Sequence, residues 1–365
     1  MLSKDIISKN YKQERIRRNK SKIIILSCLF LFLLILCFFS LLIGPSTLSF
    51  ADSFMALFYQ GERYAIKIVW GIRMREVLVG LLVGASLSIA GLIMQTTLGN
   101  IMASPSTLGI SNAAVFGANL SIIIFAGGFV NTGNNLNNLL VSANPYLTSI
   151  FAFIFALLST LLILGLSKIK NFSPTVIVLA GIALGSVFTA GTTLLQYFAT
   201  DVGLSAAVIW SFGDLSRANY QDCIIIAVVL ALGLIFYMSM RWKYNTLLGG
   251  DDFARSLGVK VNKLRFSSLL IASLLVATSI SFVGLIGFIG IICPHIARKI
   301  FGNNHSYLIP SSFLTGSILL VASNTFGGLI GGGSALPVGA VTSIIGAPFF
   351  LYMILSQGGR HHVRN

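Results

Sequence analysis

Charge is scarce in this sequence: Asp and Glu together number ten in 365 residues, and charged residues of either sign make up only 10%. Soluble domains carry roughly 25% charged residues. With 55% hydrophobic residues and a mean hydropathy of +0.89, the shortage excludes a soluble fold and implies a polytopic membrane protein. Cysteine is sparse too. Cys28, Cys37, Cys223 and Cys293 lie in or beside apolar runs without metal-ligand spacing, so they read as small buried hydrophobes and report no redox compartment.

Motifs are also missing. No G-x-x-x-x-G-K-[ST] is present, so the chain does not cradle nucleotide phosphates by a P-loop. H-E-x-x-H, G-x-S-x-G and C-x-x-C are absent as well, which leaves no constellation for an enzyme and no cofactor or metal site to expect. His361 and His362 read as a solvated tail. The net charge of +15 does not suggest nucleic acid, because no basic stripe with interleaved aromatics lies outside the membrane-flanking segments. Span interiors hold essentially no carboxylates. Asp201 and Asp214 fall in an external connection and His295 at a span end, which weighs against an ion-driven secondary transporter.

What is present is a series of apolar runs, each long enough or nearly so to cross a bilayer. They lie at 23–43, 77–97, 111–127, 146–166, 174–199, 221–240, 266–284, 286–300, 306–326 and 336–355. The first is too long for a signal-peptide core and reads as a retained helix. The 35 residues from Phe266 to Ile300 barely hold two crossings, and Gly284, Gly287 and Gly290 punctuate them; one member of that pair is expected to be short or broken. The fold class is therefore an all-α polytopic membrane protein of about ten transmembrane helices. Residues 1–22 form a basic segment, 23–355 the membrane domain and 356–365 a tail.

Lys and Arg set the orientation. With both termini cytoplasmic, 20 of the 25 fall inside: eight from Lys4 to Lys22, Lys168 and Lys170, six in the loop 241–265, Arg298 and Lys299, Arg360 and Arg364. Arg63, Lys67, Arg73, Arg75 and Arg217 fall outside. An odd number of spans would separate two basic ends, so ten is the better model.

The loop 241–265 contains "GGDDFARSLGVKVNKLR" (Gly249–Arg265). Gly249-Gly250 break the chain, and Asp251 or Asp252 is placed to cap a short helix and complement its dipole. Phe253, Ala254 and Leu257 are expected on one face, with Gly258 as the stop. A two-turn helix is marginal alone; its apolar face marks it as a docking element rather than a merely solvated basic loop. Elsewhere, Asn131–Pro145 reads as an Asn-rich external loop and Gly327–Ala335 as a glycine-rich turn. Gly80/Gly84, Gly181/Gly185 and Gly327/Gly331 have the spacing that permits close helix approach. Gln95, Thr189, Thr192, Thr193, Gln196 and Asn324 either line a polar route or hydrogen-bond between helices.

Four ordered segments resemble one family, the ten-span permeases of ABC importers for iron–siderophores, haem and cobalamin. "REVLVGLLVGASLSIAGLIMQTTLGNIMASPSTLGISNAAVFGA" (Arg75–Ala118) is similar to the family's second-span region, and Gly249–Arg265 to its G-x-x-x-A-x-x-L-G-V loop. "ISFVGLIGFIGIICPHIARKIFGNNHSYLIP" (Ile280–Pro310) resembles F-x-G-L-x-x-P-H-x-x-R-x-x-x-G-x-D-H-x-x-L-x-P, and "LPVGAVTSIIGAPFFLYMI" (Leu336–Ile354) the last span. The resemblance implies a homodimer around a central path, ATP hydrolysis on a separate cytoplasmic ATPase subunit, and substrate delivery by an external binding protein. It implies ATPase docking by Asp251, Asp252, Phe253, Ala254, Arg255, Leu257 and Gly258, and binding-protein docking by Arg73 and Arg75. It also implies a cargo that is an iron chelate, haem or corrinoid, and the retained basic N-terminus suits a prokaryotic inner or sole cell membrane. A stand-alone secondary transporter or channel is the alternative, and a structural or signalling membrane protein a third. Several positions depart from the family pattern. Arg73 matches the first arginine of the external R-L-P-R, but the second aligns with Glu76, with Arg75 displaced by one. A family arginine aligns with Gly328 and a family aspartate with Asn324, and N-P-L-A reads "NIMA" (Asn100–Ala103).

Overall fold

The computed structural model describes residues 2–44, 48–125, 145–331 and 336–358. The Asn-rich loop up to residue 144, the histidine pair, and Arg360 and Arg364 lie outside the described residues.

Apolar runs become helices because lipid offers no partner for backbone N–H and C=O groups. The helices are α1 (Leu2–Leu42), α2 (Phe50–Leu57), α3 (Arg63–Ile68), α4 (Met74–Leu98), α5 (Ile110–Leu120), α6 (Pro145–Ile169), α7 (Pro174–Tyr197), α8 (Asp201–Ser211) and α9 (Tyr220–Ser239). They continue as α10 (Arg241–Leu247), α11 (Asp251–Ser256), α12 (Val261–Val283), α13 (Ile289–Phe301), α14 (His305–Ile330) and α15 (Val338–Gly358). Each of the ten expected crossings has a helix. Among the described residues, seven are long and apolar enough to span a membrane on length and composition.

Two of the three exceptions have physical explanations. Helix α5 is prolonged by a π turn, Ser121–Phe125. Helix α13 has 13 residues, about 20 Å at 1.5 Å per residue, short of the ~30 Å hydrocarbon core. The non-helical stretch Gly284–Phe288 before it adds roughly 16 Å of extended chain, so helix and stretch together suffice. Irregular backbone at this depth is tolerated only where protein buries it. Here Val283 accepts from Asp214 N at 2.7 Å, and Gly284, at φ +80°, lies against the carbonyl of Trp210. The eighth span is thus the broken member of the doubtful pair.

The second span begins earlier than its hydropathy indicates. A π turn, Val69–Arg73, joins α3 to α4, making one 36-residue rod from Arg63 to Leu98. Along α4 nearly every residue from Val77 to Leu98 is buried, which explains why that helix lacks a polar face. It is the central post, packed against α12, α13 and α14. Contact with α14 is made glycine to glycine: a Cβ at Gly84 would come within 2.4 Å of the Gly316 carbonyl oxygen, and one at Gly316 within 2.3 Å of that of Gly84. Gly181 and Gly185 instead seat the Leu108–Gly109 turn and Asn112 against α7. Gly327–Ile330 belong to the last turn of α14 rather than to a free loop.

All expected basic connections that are described gather at one end. Lys22 lies over the Tyr307 ring, Asn245 bonds Asn304, and Arg265 reaches the Phe172 carbonyl. At the opposite end Arg73 meets Leu41 and Leu42 and Arg75 meets Ser216. The two faces match the division of cations made from sequence.

Candidate coupling and translocation sites

On the basic face, α11 projects as a six-residue helix. Its N-cap is Gly250, with φ 95° and no side-chain cap. Neither Asp251 nor Asp252 caps it; both lie in its first turn, where carboxylates still suit the dipole. Gly258 does end it, at φ +81°, and its N–H donates to Arg255 O at 2.9 Å while Val259 N–H donates to Ala254 O at 3.0 Å. The single apolar face expected of Phe253, Ala254 and Leu257 is in fact two. Ala254 is fully buried beneath the helix, while Phe253 (52%) and Leu257 (49%) stand exposed. A six-residue helix turns through less than two full turns, so its small residue seats it and its large ones face out.

Asp252 is solvent-exposed and pairs locally with Arg255 at 3.2 Å. Asp251 turns inward. Its two oxygens accept from Arg265 Nη2 at 2.9 and 3.1 Å. Arg265 is buried, and it also donates from Nε to Thr97 O at 2.7 Å and from Nη1 to Phe172 O at 2.9 Å. One guanidinium thus fastens α11 to the inner end of α4 and to the α6–α7 loop. Asp251 thus tethers α11, with about 35% of its side chain still exposed.

Beside this hub, His305 accepts or donates at Thr96 Oγ1 (2.9 Å) and at Asn245 Oδ1 (2.9 Å), and its backbone N–H donates to the same Asn245 oxygen. With Nδ1 facing an amide oxygen, the proton is placed on Nδ1, and the Thr96 hydroxyl lies between Nε2 and Leu92 O. Helices α4, α10 and α14 meet there. Sequence reasoning passed over Arg265 and His305, because neither forms a local motif with its partners.

The polar span residues divide between the two readings left open above. Gln95 donates to Gly290 O at 3.1 Å and Thr192 to Phe188 O inside its own helix; these serve packing. Gln196 reaches Asn119 at 3.0 Å and Asn112 reaches Thr189 at 3.1 Å. Along α7, however, Ser186, Thr189 and Thr193 border an open cleft of about 460 Å³ that also includes Ser106 and Asn112. Ser106 further borders an inner cavity of about 210 Å³ against Gly287 and Phe288 of the broken span. Phe288 is a non-glycine residue at φ +65°, and its side chain leaves no room for a Cβ at Gly346.

On the opposite face Arg73 is buried, and Nη1 donates to Leu41 O at 3.0 Å, Leu42 O at 2.8 Å and Ser53 Oγ at 3.0 Å. The π turn aims it inward to cap α1, so Arg73 is a structural cation and not a surface one. Arg75 is half-buried and donates to Ser216 O at 3.2 Å. Arg217 donates to Trp210 O and Ile209 O, closing α8; burial lowers its pKa, opposed by neighbouring Asp214. The outer cations left exposed are Arg63 and Lys67, and Lys67, Arg75 and Glu76 border a groove of about 510 Å³. Two of the departures noted in the sequence meet here: Asn324 Nδ2 donates to Glu76 Oε2 at 3.0 Å. The resemblance aligns an arginine with Glu76 and an aspartate with Asn324; here a carboxylate faces an amide.

These features define the chain as an all-helical, multi-span membrane permease. Residues 32–356 match the FecCD transport family, and the chain belongs to it. Among its relatives, a Methanocaldococcus jannaschii protein named as an ABC transporter permease is 42% identical, covering 93% of this chain and 96% of its own. The vitamin B12 import system permease BtuC of Vibrio cholerae is 31% identical over 94% of this chain and 96% of its own. A solved structure described as an inward-facing metal-chelate type ABC transporter superposes with a TM-score of 0.75 at 26% identity, covering 92% of this chain and 99% of that one.

Proposed function

We propose that two copies of this chain form the membrane path of an ATP-driven importer for a metal chelate: an iron–siderophore, haem or a corrinoid. Residues 23–355 form the permease domain, 241–265 its coupling loop, and the segments 1–22 and 356–365 lie with that loop in the cytoplasm of a prokaryotic cell. The carrying observation is the build of α11. It presents Phe253 and Leu257 outward while Ala254 is buried beneath it and Asp251 pairs with Arg265 of α12, whose Nε donates to Thr97 O at the inner end of α4. A load on α11 therefore reaches the central post through charge-assisted bonds rather than through a slack loop.

The load comes from a separate ATPase subunit, whose cleft takes Phe253 and Leu257, with Asp252, Arg255 and Gly258 at the rim. Cargo passes along the polar face of α7, which lies at the dimer axis. Mild hydroxyls suit a path that must release what it admits. An external binding protein delivers the cargo by docking on Arg63, Lys67 and Arg75. Relatives described by metal chelates and vitamin B12 support this cargo class.

The test is co-expression with the cognate ATPase, reconstitution in liposomes and measurement of ATP hydrolysis with binding proteins loaded with each cargo. Stimulation by one loaded binding protein supports the reading and names the cargo. Failure to form any complex with the ATPase would refute it.

A further inference from the structure

Next to α11, but on the flank of the bundle, a groove of about 420 Å³ opens between the ends of α9 and α12. Its rim carries Lys243, Lys260 and Lys263, with exposed Trp242 beside them; deeper in, Phe236 and Ser267 form part of its wall. No Asp or Glu lines it, and among the described residues none of the three lysines makes an ion pair. The two acids of α11 are already engaged with Arg265 and Arg255.

Depth decides what can fill it. Phe236 lies one turn inside α9, within the span expected at 221–240, and Ser267 at the start of the span expected at 266–284, so the groove runs from the bilayer edge inward while the lysines stand at its surface. Trp242 marks that boundary, as aromatic side chains do at membrane interfaces. A soluble partner does not reach the floor, and a free phosphate leaves the apolar wall uncovered. Basic pockets between spans suit anionic headgroups, and each lysine near the surface adds attraction.

We propose that this groove is a binding site for an anionic phospholipid of the leaflet on the basic side. Lys243, Lys260 and Lys263 hold the headgroup phosphate, and Phe236 meets the start of an acyl chain. Because the same groove is walled by Leu257–Lys260 at the end of α11, its occupant rests directly against the docking helix.

The probe is brominated phosphatidylglycerol, whose bromines quench tryptophan at close range, compared with brominated phosphatidylcholine in nanodiscs holding the full chain. Of the three tryptophans, Trp70 and Trp210 are replaced by Phe so that Trp242 alone reports. Quenching by the anionic lipid is expected at lower mole fraction than by the neutral one, with about fivefold of that preference lost for each lysine neutralised. K243Q/K260Q/K263Q should close the gap. K260Q alone, at an exposed position, should remove one step and guards against a triple variant that misfolds. K168Q/K170Q, on the same face but outside the groove, should leave the preference unchanged. Equal quenching by both lipids, or an equal loss in K168Q/K170Q, would mean only a diffuse surface potential and would overturn the site. Loss of quenching when the ATPase subunit binds would assign the groove to that protein and overturn it as well.

Discussion

Arg265 is the residue on which the region around α11 turns, since three separate segments end on its guanidinium. Replacing it by Ala leaves the buried Thr97 carbonyl without its donor, at about 1–3 kcal/mol, removes the partner of the part-buried Phe172 carbonyl, and frees Asp251. Arg265→Ala is expected to lower the apparent melting temperature in detergent and to abolish stimulated ATP hydrolysis. Arg265→Lys keeps the charge but not the planar fork, so an intermediate loss is expected in both measurements. Leu257 gives the complementary case. Because its side chain stands half-exposed, Leu257→Asp should leave melting unchanged while weakening ATPase association at least about thirtyfold, the scale of an interface hot spot. Normal association by that variant would remove α11 from the docking surface.

At the scale of elements, the α4–α14 contact is set by two glycines in the middle and by Glu76 with Asn324 toward the outer end. The Glu76–Asn324 pair makes a reciprocal prediction. Asn324→Asp alone places two carboxylates about 3 Å apart, and Glu76→Arg alone sets a guanidinium against an amide. Asn324→Asp should therefore reduce folded yield, and the double variant E76R/N324D should recover it by restoring an opposite-charge pair. Size-exclusion profiles of the four proteins close a double-mutant cycle; additive losses would show that the two positions do not communicate. The glycines allow less. Gly316→Leu forces a side chain into the backbone of α4, and overpacking of this kind costs typically 1–3 kcal/mol. The α4–α14 pair should loosen accordingly, seen as a lowered melting temperature.

For the whole molecule, the segregation of cations predicts sidedness. In a background without Cys28 and Cys37, Phe253→Cys should react with an impermeant maleimide only from the cytoplasmic side, and Lys67→Cys only from outside. Labelling of both from one side would break the ten-span arrangement. Cys223 and Cys293 are buried and should stay unlabelled in folded protein.

The order of the apolar helices and the gathering of the basic loops at one end were legible in sequence alone, because hydropathy and the placement of Lys and Arg act locally along the chain. Even the broken eighth span was legible, as a stretch too short and too rich in glycine for two full helices. Local turn chemistry was legible in part: Gly258 ends α11 as its position indicates, whereas Gly250 rather than an aspartate begins it. The tertiary structure alone decided where side chains point and whom they meet. Arg73 looks like a surface cation in sequence, yet the π turn buries it under α1. Asp251 and Asp252 are adjacent and chemically alike, but only the former faces Arg265. Glu76 and Asn324 are 248 positions apart, and no local pattern announces their bond. A buried polar group must find a partner wherever packing puts one, and packing brings together residues that the chain keeps far apart.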